Sequence, residues 1–567
     1  MDSILFLILR RMRAPLITLI VTYAISVLGF TLMPGTDANG EPWQMSVFEA
    51  FYVVSYTATT IGFGEIPYAF SAAQRLWMTF SIYLTVISWF YAIGKIIALV
   101  QDPALRQAIT LTRFARQVRR LQEPFYIVCG YGGTGSLLVE AFDRKGIRAV
   151  VVEISQDRIN ELELLEVQAP VPSLCADARL PEMLLHAGIT HPDCGGVAAL
   201  TDDDNANLAI AVAVKLINPG LRVLCRAENQ ETAANMASFG TDHIINPYEV
   251  FGEHLAMEVH ALGTFLLHEL LTGAPGSSLP SPACPPIGKW IVCGYGRFGK
   301  AVIKNLEREH MQTVVIEADP ELTGCENCVL GSGAESRTLI EAGIKDAVGI
   351  VAGTDNDINN LSIVMTALEL NPQLFVVIRK NKRHNAPLFR KFNADITMQP
   401  ADVIAHACLE HLVTPLLANF LSQARNQSNA WANQVIGRLV ETVGEQVPET
   451  WRVTISGELA PTIVNLLGHG KTVTLETLTL DPANRSLQLP LVPLLLVRED
   501  QTILLPELSE PLQIGDRILF CGKPDAKSAQ PLLMINRKVL SYVMDGIEVP
   551  DGLIWRWLSH KHRQRAK

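Results

Sequence analysis

The run Thr57-Ala58-Thr59-Thr60-Ile61-Gly62-Phe63-Gly64-Glu65 places threonines ahead of a Gly-Phe-Gly, and its chemistry lies in the backbone. If the segment is extended, the carbonyls of Thr60, Ile61, Gly62 and Phe63, with the Thr60 hydroxyl, form a ladder of oxygens able to replace the hydration shell of a potassium ion. Carbonyls that all point one way force alternate residues into conformations costly for a side chain, and Gly62 and Gly64 relieve that cost. One strand supplies a quarter of each oxygen ring, so this chemistry requires four copies about an axis.

A second chemistry is written twice. Phe125-Tyr126-Ile127-Val128-Cys129 is an apolar strand running into Gly130-Tyr131-Gly132-Gly133-Thr134-Gly135 and then a helical pattern, and the next strand, Ala149 to Val152, ends in Glu153. Trp290-Ile291-Val292-Cys293 likewise leads into Gly294-Tyr295-Gly296-Arg297-Phe298-Gly299, with Glu317 placed 23 residues after Gly294, as Glu153 is 23 after Gly130. In strand, turn, helix order a G-x-G-x-x-G cradles pyrophosphate on the helix N-terminus, and the acid accepts hydrogen bonds from a ribose. Arg297 is a candidate phosphate contact. Farther on, Thr201, Asp202, Asp204, Asn207, Leu208, Arg226, Phe239, Asp242 and Pro247 reappear at a constant offset of 153 as Thr354, Asp355, Asp357, Asn360, Leu361, Arg379, Phe392, Asp395 and Pro400. Two modules share one plan.

The oxygen ladder needs a membrane around it. The chain carries no charge from Ala14 to Gly35 or from Leu76 to Gly94, runs of about the length that crosses a hydrocarbon core. A secretory signal is the competing reading of the first run, but its apolar region is too long and no small-residue cleavage site follows. Arg10, Arg11 and Arg13 precede the first run, while Arg106, Arg113, Arg116, Arg119 and Arg120 follow the second, which places both ends in the cytoplasm. Between the runs, the polar turn Pro34 to Gly40 precedes Met45 to Tyr56, a helical stretch too short to span that must dip in and return. The segment after it resembles the potassium-channel signature T-x-x-T-x-G-Y-G, with Thr60 to Gly64 as selectivity filter. Phe63 replaces the commoner tyrosine and loses a hydroxyl that can tie the filter to its supporting helix. Leu84 stands near the place where related pores often carry a glycine, which leaves Gly94 as the candidate hinge.

Over residues 122 to 420 the repeated glycine loops and their matched residues resemble the RCK family, also called TrkA-N or KTN domains. Together with the pore, the sequence is similar to prokaryotic two-transmembrane potassium channels with RCK domains, and the tandem repeat to their bacterial multi-ligand-gated members. The resemblance implies an octameric gating ring built from a homotetramer and binding NAD, ADP or another adenine nucleotide. It implies nucleotide contacts at Gly130, Gly132, Gly133, Thr134, Gly135, Glu153, Asp177, Ala178 and Thr201 in the first module. In the second, it implies them at Gly294, Gly296, Arg297, Phe298, Gly299, Glu317, Ser332 and Thr354. Asp177 fits the acid that family members place near the adenine. Gly331-Ser332-Gly333 stands at the equivalent place without one.

The expected architecture is a membrane α-helical pore followed by two α/β Rossmann-like modules and a C-terminal α+β subdomain. Its boundaries are a pore domain at 1–100, with spans at about 14–35 and 76–100 and pore helix and filter at 45–65. A linker at 101–121 follows, then the first RCK module at 122–270, a Gly/Pro/Ser-rich linker at 271–287 and the second module at 288–430. A TrkA-C-like subdomain at 431–525 and a C-terminal tail at 526–567, basic from Trp555 to Lys567, follow. The expected setting is a prokaryotic plasma (inner) membrane, crossed more than once, with the modules in the cytoplasm.

Composition narrows the function. At 567 residues with 18% charged, the chain is apolar for its size, and a net charge of −10 offers no broad basic surface, so nucleic acid is not an expected partner. The ten cysteines are scattered, which suggests reduced thiols, and the lone CxxC, Cys325 and Cys328, lacks further zinc ligands. Asp202-Asp203-Asp204 invites a calcium reading, but it falls where a strand turns into a helix and Asp serves as an N-cap. A divalent effector such as calcium elsewhere in the ring stays open. A membrane-anchored NAD oxidoreductase is the rival reading; it leaves the ladder unexplained and lacks a catalytic acid or base beside either loop. No enzymatic activity is expected.

Overall fold

The computed structural model describes residues 2–273, 275–278, 282–392, 394–499 and 501–546. The basic stretch from Trp555 to Lys567 and four residues of the intermodule linker lie outside the described residues. The chain divides into two compact units, Met1–Arg120 and Leu121–Lys567.

In the first unit two helices are long and apolar enough to cross a membrane. One is Asp2–Leu32, with the apolar span Ile8–Leu32; the other is Ala72–Val100. The first stops short of the expected Gly35 because Pro34–Thr36 pairs as a short antiparallel strand with Pro42–Gln44. The Asp37 carboxylate closes the turn by accepting the N–H groups of Asn39 and Glu41 at 2.8 and 2.9 Å. The second helix begins before the expected Leu76, since Ser71 and Gln74 form a capping box. The two helices pack closely: a Cβ on Gly29 would stand 1.9 Å from the Trp77 ring, and Trp77 Nε1 donates to the Ser26 carbonyl at 3.0 Å. A buried Thr22–Ser88 hydroxyl pair, 2.9 Å apart, adds a polar contact. Between them, the helix Val47–Ala58 starts at the Ser46/Glu49 capping box and buries Ala50, Val53, Val54 and Tyr56 against Phe30, Met45 and Phe70. The expected linker 101–121 is largely a helix, Pro103–Val118, capped by Asp102, whose carboxylate also pairs with Arg11.

The second unit contains two parallel six-stranded sheets. The first holds Phe125–Cys129, Arg148–Glu153, Ser173–Cys175, Cys194–Ala199, Val223–Arg226 and His243–Ile245. The second holds Lys289–Cys293, Gln312–Glu317, Val329–Leu330, Gly349–Ala352, Phe375–Arg379 and Ile396–Met398. Counted within each sheet, the strand order is 3-2-1-4-5-6 in both, the order of a dinucleotide-binding sheet, with the glycine loop at the point where the order reverses.

The helices after these sheets are exchanged. Pro247–His260 follows the first sheet but sends Tyr248, Phe251 and Leu255 into a core with Trp290, Val292, Phe298 and Val302 of the second. Pro400–Cys408 follows the second sheet but, with Leu412, sends Ile404, Ala407 and Cys408 into the core of Val128, Leu138, Phe142 and Val151 of the first. The expected consecutive modules 122–270 and 288–430 are therefore interlocked. Each exchanged helix begins with proline after a short strand and presents its apolar face to the other sheet.

Beyond them, Glu449–Thr454, Arg517–Gly522, Leu491–Arg498 and Gln501–Leu504 form an antiparallel sheet in that order. Ala526, Met534 and Leu540 pack onto it beside Val453, Ile518 and Phe520, so folded structure runs past the expected limit at 525, to Asp545.

Candidate functional site

The segment expected to form the oxygen ladder sits at the C-terminal end of Val47–Ala58. The Tyr56 carbonyl accepts the N–H groups of Ile61 and Gly62 at 2.9 and 3.3 Å, turning the chain out of the helix. Thr60, Gly62 and Gly64 all have positive φ, at 61°, 66° and 93°, so alternate residues occupy the left-handed region. Glycine takes this conformation freely, whereas at Thr60 it is a strained one held by its surroundings. Phe63 stacks on Tyr52, with ring centroids 6.3 Å apart and planes 9° from parallel, and meets Tyr56 edge-on at 5.6 Å. The Tyr56 hydroxyl donates to the Gly64 carbonyl. Phe63 has no hydroxyl to give, and the tie between loop and helix runs the other way, from a residue that sequence reasoning passed over. Glu65 fixes the returning chain by accepting the Phe70 N–H at 2.9 Å and pairing with Arg75 at 2.7 Å.

In the first sheet the expected residues converge. Gly130, Gly132, Glu153, Asp177, Ala178 and Thr201 line one cavity of about 370 Å3, within the usual range of small-molecule clefts. Gly133, Thr134 and Gly135 form the start of the helix Gly133–Arg144 beside it. A Cβ on Gly135 would stand 2.0 Å from the Gly130 carbonyl oxygen, so the third glycine is required by close packing of helix on strand. Glu153 is buried and accepts the N–H groups of Tyr131 and Ser155, which makes it a brace of the loop as well as a wall of the cleft. Asp177 is gripped by Arg179 through contacts of 2.7 to 3.0 Å, and this pairing holds its carboxyl below the usual range. Thr201 is fixed by the buried Asn207, whose Oδ1 accepts the threonine N–H and hydroxyl at 2.9 and 2.8 Å. Arg158 also lines the cleft, 3.7 Å from Glu153 and 3.9 Å from Asp202; its place on a helix after the second strand gave no motif to find it by.

The second sheet repeats the scaffold. Glu317 accepts from the N–H groups of Tyr295 and Asp319, a Cβ on Gly299 would lie 1.9 Å from the Gly294 oxygen, and Asn360 fixes Thr354 at 2.9 and 2.6 Å. Gly296 caps the helix that Arg297 begins. Two expectations change. Arg297 is paired with Glu228 of the first module at 2.7 Å, so it does not stand as a free phosphate ligand. The Phe298 side chain is fully buried under the Arg379 guanidinium, 5.7 Å from its ring, and contributes only backbone to the loop. Ser332 lies between Gly331 and Gly333 at φ of 154° and 72°, and its hydroxyl accepts the Ala334 N–H at 3.3 Å.

Residues 17–102 match the ion channel family, and residues 126–247 and 290–400 each match the TrkA-N domain family. The chain carries an ion-channel domain and two TrkA-N domains. Potassium channel protein 1 of Methanocaldococcus jannaschii is 27% identical over 217 residues, covering 38% of this chain and 62% of that protein. Probable potassium channel protein 2 of the same organism is 23% identical over 241 residues, 42% of this chain and 65% of that one. The chain thus spans less than two thirds of the length of either relative. Among solved structures, the GsuK channel bound to NAD is 14% identical with a TM-score of 0.47, covering 93% of this chain and 98% of that one.

The TrkA-N domains touch through charged side chains as well as exchanged helices. Glu228 of the first holds Arg226 and Arg297, and Tyr248 joins it to Arg379, 3.1 Å from the tyrosine oxygen. Arg383 of the second pairs with Glu140 of the first at 3.1 Å. The Asp202-Asp203-Asp204 run is fully employed: Asp202 pairs with Arg226, Asp203 caps the helix, and Asp204 accepts the N–H groups of Glu228 and Asn229. Burial pushes the thiols of Cys129, Cys194 and Cys293 up to about 12, and burial with the Cys328 hydrogen bond pushes Cys325 up to about 11, so these thiols stay protonated at neutral pH.

Proposed function

We propose that this chain is the subunit of a homotetrameric potassium channel whose gate responds to an adenine nucleotide bound in the first TrkA-N cleft. The observation that carries the reading is the Thr60–Gly64 loop, with left-handed backbone at alternate residues and a capped helix behind it, set between two helices of membrane length. Four such loops about an axis supply the carbonyl rings that dehydrate potassium selectively. No covalent chemistry takes part. The filter faces outward, and both termini and the TrkA-N domains lie on the cytoplasmic face of the membrane.

NAD, ADP or a related nucleotide places its phosphates on the N–H groups at the start of Gly133–Arg144, a ribose against Glu153 and its base near Asp177 and Ala178. Glu153 has accepting capacity left for ribose hydroxyls, since an ionised carboxylate offers about four lone-pair sites and two backbone donors occupy part of them. For the ligand to gate, it must bind the open and closed arrangements with different affinity. The exchanged helices give it a route: the loop at Gly133 lies beside Ala401, at the start of the helix that leads from the second sheet into the core of the first, so a change in the loop reaches the chain that connects the two domains.

Recording from purified protein in planar bilayers tests this. Potassium-selective current that changes with cytoplasmic ADP or NAD is expected, and Gly62→Ala, which places a side chain at positive φ in the filter, is expected to abolish it. Selective current from Gly62→Ala protein, or light scattering that gives the conducting species a monomer or dimer mass, rules the reading out.

A further inference from the structure

The second unit contains a cavity of about 380 Å3 away from the nucleotide cleft, where the exchanged helices meet. Its polar lining includes His254, His268, Glu269, His406 and Glu410. His254 sits on Pro247–His260 and the next two on Leu262–Thr272, the helix beginning just after Ala261. Glu410 comes from Leu409–Val413, the continuation of the helix that covers the first sheet.

One donor atom from each of His254, His268 and Glu269 lies within 4.8 Å of the others. A point central to three atoms so spaced is at most about 2.8 Å from each, a small side-chain adjustment from the roughly 2.0–2.2 Å of zinc bonds to imidazole and carboxylate. His268 is 7% exposed and its Nδ1 makes no hydrogen bond; the nearest carboxylate oxygen, on Glu269, is 3.6 Å away. A buried ring nitrogen left without a partner is costly, and on His268 it lies on the side of the ring that faces Glu269. The Glu410 carboxylate is 3.8 Å from His268 Nε2, positioned to orient the ring or to complete the shell. Arg425, the cation lining the cavity, is turned to Glu253 at 3.4 Å.

We propose that His254, His268 and Glu269, supported by Glu410, form a binding site for a zinc-class divalent transition ion at the junction of the two TrkA-N domains. Two imidazoles and one or two carboxylates suit zinc, cobalt or nickel, whereas calcium takes oxygen ligands and is poorly served by a set in which two of three donors are imidazole nitrogens. Such an ion ties the bend between Pro247–His260 and Leu262–Thr272 to the Glu410 segment, and so fixes the angle at which the exchanged helices cross.

The test is equilibrium metal binding by the full-length protein in lipid nanodiscs after chelator treatment, with no current measured, so that it stands apart from the channel reading. Zinc is titrated against a chromophoric chelator, and cobalt is added separately for its visible spectrum. The Cys325→Ser/Cys328→Ser protein serves as background, because that pair is another place a zinc ion would seek. One zinc per chain is expected on this background, with a four-coordinate cobalt spectrum lacking thiolate charge-transfer bands. His254→Gln, His268→Gln and Glu269→Gln are each expected to lower zinc affinity at least tenfold while ADP binding is retained. Glu269 is partly exposed, so its variant decides the matter if a histidine variant fails to assemble. Unchanged zinc affinity in Glu269→Gln and in the assembling histidine variants overturns the proposal. So does loss of zinc with the cysteines, or calcium displacing zinc at equal concentration.

Discussion

In the first TrkA-N domain the glycine loop faces a cavity, and an arginine-held aspartate stands across from it. In the second, the same loop on the same strand order carries Arg297, which is pinned to Glu228 of the neighbouring domain, and Phe298, which is buried beneath Arg379. The scaffold residues behave alike in both: Glu153 and Glu317 brace the residue after the first glycine, and Asn207 and Asn360 lock the threonine after the fourth strand. What differs is the use of the loop. One copy keeps it available to a ligand, and the other commits it to the junction between domains.

The comparison breaks first if the scaffold is not shared. Gly135→Ala and Gly299→Ala place a methyl about 2 Å from a backbone oxygen in each domain, and overpacking of this kind costs on the order of 1–3 kcal/mol or more. Both variants are expected to lower the thermal unfolding midpoint of the solubilised protein by similar amounts, and a large inequality between them means the loops are not equivalent structures. The difference in use is sharpened by ligand binding. Glu153→Gln is expected to weaken ADP binding about ten- to hundredfold, the effect of a hydrogen bond to a charged acceptor of roughly 1.5–3 kcal/mol. Glu317→Gln should leave the tighter ADP site in place. Equal losses measured by titration calorimetry would make both loops ligand sites. The smallest effect belongs to the junction. Arg297 is largely exposed, so its pair with Glu228 is expected to contribute about 0.5 kcal/mol in a double-mutant cycle of Arg297→Ala and Glu228→Gln. Coupling indistinguishable from zero would return Arg297 to the solvent, or to a phosphate.

Much of this was legible in the residues. The spacing from Gly130 to Glu153 and its recurrence from Gly294 to Glu317 set out two sheets of one topology, and the charge-free runs set out two spans, because those features are local periodicities. The exchange of Pro247–His260 and Pro400–Cys408 was not legible: an apolar face says that a helix must cover a sheet, not which sheet. Helix Pro103–Val118, expected as plain linker, buries Leu105, Phe114, Ala115 and Val118 and exposes Arg106, Arg113 and Arg116, an amphipathic pattern that the sequence already carried. The tie from Tyr56 to Gly64 was not legible because it depends on the loop folding back over the helix end, which no local spacing signals. The cluster at His254 and His268 has no motif spacing, since its members are brought together by a helix bend and by a segment about 140 residues away.

The exchanged helices also set a timetable for synthesis. The first sheet is complete in sequence at Ile245, but Ile404, Ala407, Cys408 and Leu412, which close its core, are translated about 160 residues later. At roughly 5–20 residues per second, that leaves an apolar sheet face uncovered for roughly 8–30 s on every ribosome making this chain. A ribosome that stops anywhere in the second TrkA-N domain releases a first domain with an open core, so truncated chains are expected to be substrates for chaperones and proteases rather than stable fragments.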